Sequence, residues 1–383
     1  MKKRWFIKIL IILIIFCGCT NKQPLSQTQL LLDTQVTITL YDCASSNILD
    51  ECFAICKDYE LLFSRTNPKS ELYQLNHQDK TKPIKISKEL AKVINIGLEY
   101  SKLSNGTFDI TVGQLIDLWD FKADTPKLPE TSAIAGALTS IGYRGITLND
   151  STISFSNPNT IIDLGAVAKG YIADKIKEYL IEQGVDSAII NLGGNVLCVG
   201  KKNSDDFTIG ITDPKGSSDI LKLKINDQSV VTSGIYQRYF EVEGKYYHHI
   251  LNPKTGYSYD NGLASVTIIS NHSVDGDALS TVCFTLGKEQ GLALVNQLAG
   301  IEAVFIDTNT ALYYSDQQTA TWRKVLIILL CFTLSIIADG GLTGGVFGIY
   351  AFAKIKDPIF RKIAGVLVLN SVQILILVFS FYY

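Results

Sequence analysis

The spacing of apolar side chains changes along the chain, and the changes mark out its elements. Gln35-Val-Thr-Ile-Thr-Leu-Tyr41 alternates apolar and polar residues, the period-two pattern of a half-buried strand. Over 45–62 and 87–103 the apolar positions recur instead at three and four. In the second run Leu90, Val93, Ile94, Gly97 and Leu98 share one helical face, and Asn105-Gly106 supplies the stop. Shorter helices are expected over 112–119 and 131–140, and a turn or short helix over 70–76. Strands are expected over 145–148, 152–155 and 160–162. A helix over 168–182 follows, with Ile172, Ile176, Tyr179 and Leu180 on one face. Further strands are expected over 187–191, 206–211, 220–225, 229–232, 237–242, 246–251 and 262–270. Helices over 274–286 and 289–298 and strands over 301–307 and 312–314 complete the pattern. Helices cluster early and strands late, which predicts an α+β fold of mixed helices and antiparallel sheet rather than regular β-α alternation. The polar stretch over 20–29 reads as a linker, so the folded body is expected over 30–320.

Both ends of the chain lie outside that body. Lys2, Lys3 and Arg4 precede an apolar run from Trp5 to Phe16 that closes on Cys17-Gly18-Cys19. This is the layout of an export signal over 1–18 with a lipidated Cys19 as the new terminus; an uncleaved anchor helix is the other reading. The tail over 321–383 holds two apolar runs, 325–353 and 363–383, joined by a segment carrying Lys354, Lys356, Arg361 and Lys362. Each run is long enough to cross a bilayer. The basic joint places the loop in the cytoplasm. The expectation is a transmembrane helical hairpin with the body on the extracytoplasmic side of the cell membrane. Asp339-Gly-Gly leaves open a re-entrant hairpin followed by a single span.

A formal net charge of −2 argues against nucleic acid as the main partner. The mean hydropathy of +0.19 comes largely from the two ends. Eight cysteines are irregularly spaced, with no disulfide framework and no paired zinc-ligand cluster.

Three stretches carry candidate chemistry. Asp163-Leu-Gly-Ala-Val-Ala-Lys-Gly-Tyr171 joins a strand to a helix through small residues. A helix start with Lys169 one turn in suits a phosphate, while Asp163 can accept a hydrogen bond from a ligand; a tight packing turn reads equally well. Asp277 and Thr281 lie four apart on one helical face. They are hard oxygen donors suited to Mg²⁺, or else a helix cap followed by a back-bonded threonine. In His248-His249 adjacent strand residues point to opposite faces, so at most one can serve a given site. Asn191-Leu-Gly-Gly-Asn-Val196 lacks the spacing of a Rossmann dinucleotide turn.

Together these stretches resemble the FAD:protein FMN transferase family, the ApbE-like flavin transferases, between about residues 30 and 314. The resemblance rests on Phe63-Ser64 with Ser70-Glu71-Leu72 and Leu75-Asn76, on Ser104-Asn-Gly-Thr-Phe-Asp109, and on the Asp163–Tyr171 turn. It continues through Asn191–Val196, Thr232-Ser-Gly-Ile-Tyr-Gln-Arg238, His249-Ile-Leu-Asn-Pro-Lys-Thr-Gly256 and Asp277-Ala-Leu-Ser-Thr281. It implies a T-fold-related architecture. It also implies Mg²⁺-dependent cleavage of FAD, with FMN passed through a phosphoester to a threonine of an acceptor flavoprotein and AMP released. Family acceptors carry that threonine in a Ser/Thr-Gly-Ala-Ser/Thr motif. By the same resemblance, Asp277, Thr281, Ser280 and the Ala166 carbonyl hold Mg²⁺. Thr107, Phe108, Asp109, Asp163, Lys169 and Leu251 line the FAD pocket, and His249 is the candidate base. Asn252 departs from the family's usual Asp. The alternatives are an FAD pyrophosphatase and a non-catalytic flavin-binding lipoprotein.

Overall fold

The computed structural model describes residues 23–316, apart from 44, 203 and 217. The described residues as far as Tyr313 form one compact unit. The export signal, Cys19 and both expected spans lie outside the described residues. Among the described residues no helix is long and apolar enough to cross a membrane.

In chain order the elements are β1 (Leu25–Leu31), β2 (Thr34–Leu40), α1 (Ser46–Phe63), α2 (Glu71–His77), β3 (Ile84–Lys85), α3 (Lys88–Leu103), α4 (Gly113–Trp119), α5 (Thr131–Leu138), β4 (Ile146–Asn149) and β5 (Thr152–Phe155). There follow α6 (Ala168–Glu182), β6 (Ser187–Leu192), β7 (Asn195–Gly200), β8 (Phe207–Thr212), β9 (Asp219–Ile225), β10 (Ser229–Gly234), β11 (Tyr239–Val242), β12 (Lys245–His248), β13 (Leu263–Ser270), α7 (Ser273–Leu286), α8 (Lys288–Val295), β14 (Glu302–Asp307) and β15 (Leu312–Tyr314). Eight strands form one sheet in the order β1-β2-β6-β7-β10-β13-β14-β15. Each pairing from β1 to β14 is antiparallel.

Alternation along the strands sorts the core. Val36, Ile38 and Leu40 of β2, Ile190 and Leu192 of β6 and Leu197 and Val199 of β7 face one side. There they pack with Leu49, Phe53 and Cys56 of α1 and Ile172, Ile176 and Leu180 of α6. Cys198, Val230 and Ile269 face the other side, where the β8–β9 hairpin covers them with Phe207, Ile211, Leu223 and Ile225. All eight residues of β13 are buried, because helices lie on one face and the hairpin side on the other. The described cysteines are all free. Burial pushes the Cys52 and Cys56 thiols up to about 12, so they serve as packing groups.

Two departures from the expected elements have local causes. The segment read as a linker over 20–29 contains most of β1, which the polar run Ser26-Gln-Thr-Gln29 disguises. It is the edge strand, closed onto β2 by Leu32 and Asp33 at φ 53° and 57°. Its Ser26 and Thr28 hydroxyls pair with those of Thr39 and Thr37 at 2.8 and 2.9 Å. Conversely, 160–162 makes only a single parallel bridge, from Ile161 to Val112. Side chains hold it instead: the Asn76 amide donates to the Ile162 carbonyl at 2.8 Å and accepts from the Ile162 N–H at 2.9 Å, and Lys80 donates to the Thr160 carbonyl at 2.8 Å. This brace fixes the approach to Asp163.

A satellite core sets the opposite wall of the site. Trp119 at the end of α4 packs on Tyr247 of β12, with ring centroids 5.3 Å apart, and its indole N–H donates to the Gly256 carbonyl at 2.8 Å. Leu115, Ile134 and Leu251 complete this cluster. It ties the turn at 252–256, and with it His249 and Leu251, to the helices.

Candidate active site

The crossing of α6 and α7 is the base of the site. At Gly170 an added Cβ would stand 2.3 Å from the Ser273 carbonyl oxygen, so the helices touch backbone to backbone. Each helix then caps the other. Asp174 of α6 accepts from the Ser273 and Val274 N–H groups at 2.7 and 2.9 Å, and Asp277 of α7 accepts from the Gly170 N–H at 2.9 Å. A carboxylate at a helix start is favoured by both the unpaired N–H groups and the helix dipole.

Beside this crossing lies a cleft of about 720 Å³. Its wall includes Phe108, Asp109, Asp163, Ala166, Lys169, His249, Leu251, Asp277 and Thr281, so most of the residues singled out in the sequence meet in one place. Thr107 and Ser280 do not line it. The Thr107 hydroxyl pairs with that of Thr285 at 3.1 Å. Ser280 is fully buried and donates to the Asp277 carbonyl at 2.9 Å, so it stands behind the wall. Asp109 lines the cleft but is committed inward: one oxygen accepts from the Thr111 N–H and hydroxyl at 2.9 and 2.7 Å, the other from the Tyr143 N–H at 2.9 Å. Burial raises its pKa, against the pull of those bonds.

The helix start is not the open phosphate cradle that its small residues suggest. The Ala168 N–H donates to the Leu164 carbonyl at 2.8 Å, and the Gly170 N–H is taken by Asp277. Positive charge comes instead from side chains. Lys169 donates to the Gly165 carbonyl at 2.9 Å and lies 3.5 Å from Asp277 Oδ1, and Arg238 lines the same cleft. Asp163 braces the turn, accepting from the Gly165 N–H at 2.9 Å and from Arg65 Nε at 2.9 Å. Arg65 also pairs with Asp117. Nothing near Arg65 in the sequence marks it as a partner of Asp163. Ser233, Arg238 and Asn195 also line the cleft and sit in recognised motifs, yet no role attached to them. The Asn195 Nδ2 is buried without a partner, while its Oδ1 accepts from the Ser273 hydroxyl at 2.6 Å.

The two histidines divide, although only His248 lies on β12 and His249 follows the strand's end. His248 is packed: its Nε2 donates to the Tyr259 carbonyl at 2.8 Å and its Nδ1 accepts from the Ile250 N–H at 3.3 Å, the pattern of a neutral ring. His249 faces the cleft, with Nδ1 at 3.4 Å from the Arg238 carbonyl. That contact places the proton on Nδ1 and leaves the Nε2 lone pair as acceptor. Burial, then the charges of Arg238 and His248, pushes the His249 ring down to about 3, and burial lowers His248 as well.

Both rings are therefore neutral when folded and titrate near the ordinary value of about 6.5 once unfolded. The unfolded state binds the extra protons, so this stability is fully present above about pH 6.5 and is lost as pH falls toward the folded values. His249→Gln, which cannot titrate, is expected to lose less of its unfolding midpoint than wild type between roughly pH 7 and pH 5. Parallel midpoint curves for the two proteins would contradict a ring held neutral in the folded state.

The donor set fits a hard divalent cation. Asp277 with its carboxylate, Thr281 with its hydroxyl, and Ala166 all line the cleft. Mg²⁺ characteristically takes one or two carboxylates and completes its shell with water and substrate phosphate oxygens. Among the described residues no group of three or more His, Cys, Asp or Glu side chains is placed to hold a metal ion, so any cation here relies on the single carboxylate with neutral oxygen donors.

The profile of the ApbE family matches residues 32–305. The FAD:protein FMN transferase of Klebsiella pneumoniae (strain 342) is 36% identical over 303 residues, covering 78% of this chain and 94% of the relative. The FAD:protein FMN transferase of Treponema pallidum (strain Nichols) is 33% identical over 331 residues, covering 79% and 91%. Among solved structures, the ApbE protein of Thermotoga maritima superposes with a TM-score of 0.72 at 28% identity, over 78% of this chain and 99% of that one. The flavin transferase ApbE of Vibrio cholerae superposes at 0.69 with 24% identity, over 76% and 96%, a likeness of fold.

Proposed function

The chain belongs to the ApbE family, and from that premise we propose that it is a FAD:protein FMN transferase that moves FMN from FAD to a threonine hydroxyl of an acceptor protein. The observation that carries this reading is the meeting of Asp277, Thr281, Lys169 and His249 on one cleft wall. A pyrophosphate brings negative charge that Lys169 and Arg238 attract and orient. Asp277, Thr281 and the Ala166 carbonyl would hold Mg²⁺, which when bound offsets charge on the phosphates. His249 presents Nε2 to the incoming hydroxyl and takes its proton as the oxygen attacks the FMN phosphorus. The P–O bond to the adenylate breaks, and AMP leaves on the opposite side. A ring of low basicity gains proton affinity when substrate phosphate screens Arg238 and Lys169, so the base is strengthened when substrate is bound. Phe108 and Leu251 offer apolar contact to the flavin, with Asp163 and Asp109 holding the turns that carry the wall.

The proposal extends to location. The export signal would direct the body across the membrane, and Cys19 and the hairpin over 321–383 would hold it on the extracytoplasmic face, beside membrane flavoprotein acceptors. In intact cells, an impermeant thiol reagent should reach a cysteine introduced at Lys201 and not one at Lys356; the reverse pattern would refute the orientation. The reaction itself is tested by following AMP release from FAD with Mg²⁺. Release should require an acceptor peptide and cease when the acceptor threonine becomes valine. Undiminished release without acceptor would identify a pyrophosphatase.

A further inference from the structure

Three hydroxyls form a short chain behind the cleft wall. Ser280 Oγ lies 2.9 Å from the Asp277 carbonyl and 2.8 Å from Ser233 Oγ, and Ser233 Oγ lies 3.0 Å from Thr281 Oγ1. Each hydroxyl has a single hydrogen, so the directions of these bonds can be counted. A carbonyl only accepts, so the Ser280 hydrogen is spent on Asp277. The contact between Ser233 and Ser280 must then use the Ser233 hydrogen. The remaining contact must use the Thr281 hydrogen, donated to Ser233. The Thr281 oxygen is left with its hydrogen turned toward Ser233 and both lone pairs uncommitted, on a residue that lines the cleft.

We propose that Ser233 is a positioning residue that orients the Thr281 hydroxyl so that its oxygen, not its hydrogen, meets a divalent cation. The inference rests on the reading of Asp277 and Thr281 as cation ligands. The elements supply the geometry. Ser233 lies on β10, fixed opposite Val266 of the buried strand β13, and α7 packs across that strand pair with Ser280 and Thr281 at adjacent positions. Ser280, fully buried, anchors the chain at the far end. Without Ser233 the Thr281 hydroxyl can rotate, and in part of its range its hydrogen opposes the cation charge. The arrangement also gives Ser280 a role as anchor rather than ligand.

The test uses the full-length chain in detergent and Mn²⁺ as the probe, with free Mn²⁺ read by electron paramagnetic resonance. Ser233→Ala is expected to weaken Mn²⁺ binding on the order of 5- to 10-fold, the scale of one lost hydroxyl interaction. FAD affinity in chelator should stay within about 2-fold, because the hydroxyl acts on the cation and not on the flavin. Ser233→Thr keeps the hydroxyl and should restore most of the binding. The decisive comparison is a double-mutant cycle with Thr281→Ala. If Ser233 acts through Thr281, Ser233→Ala adds little once Thr281 is alanine. Additive losses, or wild-type Mn²⁺ affinity in Ser233→Ala, would overturn the proposal. Asp277→Ala is the reference. If it leaves Mn²⁺ binding unchanged, or if wild type binds none, the cation reading fails and the proposal fails with it. If Asp277→Ala weakens binding and Ser233→Ala does not, only the proposal fails.

Discussion

Replacing Asp277 with alanine is expected to lower the rate of FMN transfer by about two to three orders of magnitude, in line with removing a group that stabilises transition-state charge. Asp277 is the one carboxylate in the proposed cation donor set, and it is almost wholly buried at 4% exposure. Its second task complicates the experiment. One oxygen accepts from the Gly170 N–H, so alanine also leaves a helix-start donor without its cap. Loss of such a cap costs about 1 kcal/mol, a stability change and not a catalytic one. Asp277→Asn separates the two tasks. It keeps an oxygen for Gly170, loses the charge, and should be nearly as inactive as alanine while unfolding closer to wild type. FAD should bind both variants within a few-fold in chelator, since Phe108 and Leu251 do not depend on the carboxylate. Wild-type transfer by Asp277→Asn at limiting Mg²⁺ would remove the carboxylate from the mechanism.

Gly170→Ala is expected to destabilise the protein by about 1–3 kcal/mol, the usual range for overpacking, although alanine favours a helix over glycine by about 1 kcal/mol. The added methyl would meet backbone, not a movable side chain: 2.3 Å to the Ser273 oxygen and 2.6 Å to the Val274 Cα. The helices must separate, and separation pulls Asp277 from Gly170 and Lys169. Stability and transfer should therefore fall together. Gly136 on α5 is the control, because an added Cβ there meets nothing within 4 Å. Gly136→Ala should raise stability by about 0.5–1 kcal/mol and leave transfer unchanged. Thermal unfolding compares all three proteins. A Gly170→Ala protein as stable as wild type would show that the crossing is looser than described.

The contrast between the two glycines shows what local sequence carries. Helix α6 was legible to the residue, because Ile172, Ile176, Tyr179 and Leu180 write a helical face into the sequence and small residues mark its start. Strand β15 was legible in the same way. Strand β7 was not: it opens on Asn195 directly after two glycines, and the turn signal masked the strand behind it. The sheet order and the backbone contact at Gly170 are non-local and leave no periodic mark.

The site divides along the same line. The motif residues stand out by family resemblance, and most of them meet at the cleft. Asp109 shows the limit, since a carboxylate in a motif looks like a ligand but here holds the Thr111 and Tyr143 backbone. Arg65 shows the converse. It reaches a carboxylate 98 positions away, and only the fold brings the two together. The proton count at Ser233 depends on β10 lying beside α7, which no local pattern states.

The most direct measurement is the intact mass of an acceptor domain after incubation with the purified full-length chain, FAD and Mg²⁺. A gain equal to one FMN residue is expected on the acceptor threonine, with AMP appearing in equal amount, and both should be absent with Asp277→Asn or with chelator. An acceptor of unchanged mass, while AMP and free FMN accumulate, would contradict transfer and leave hydrolysis as the reaction of this cleft.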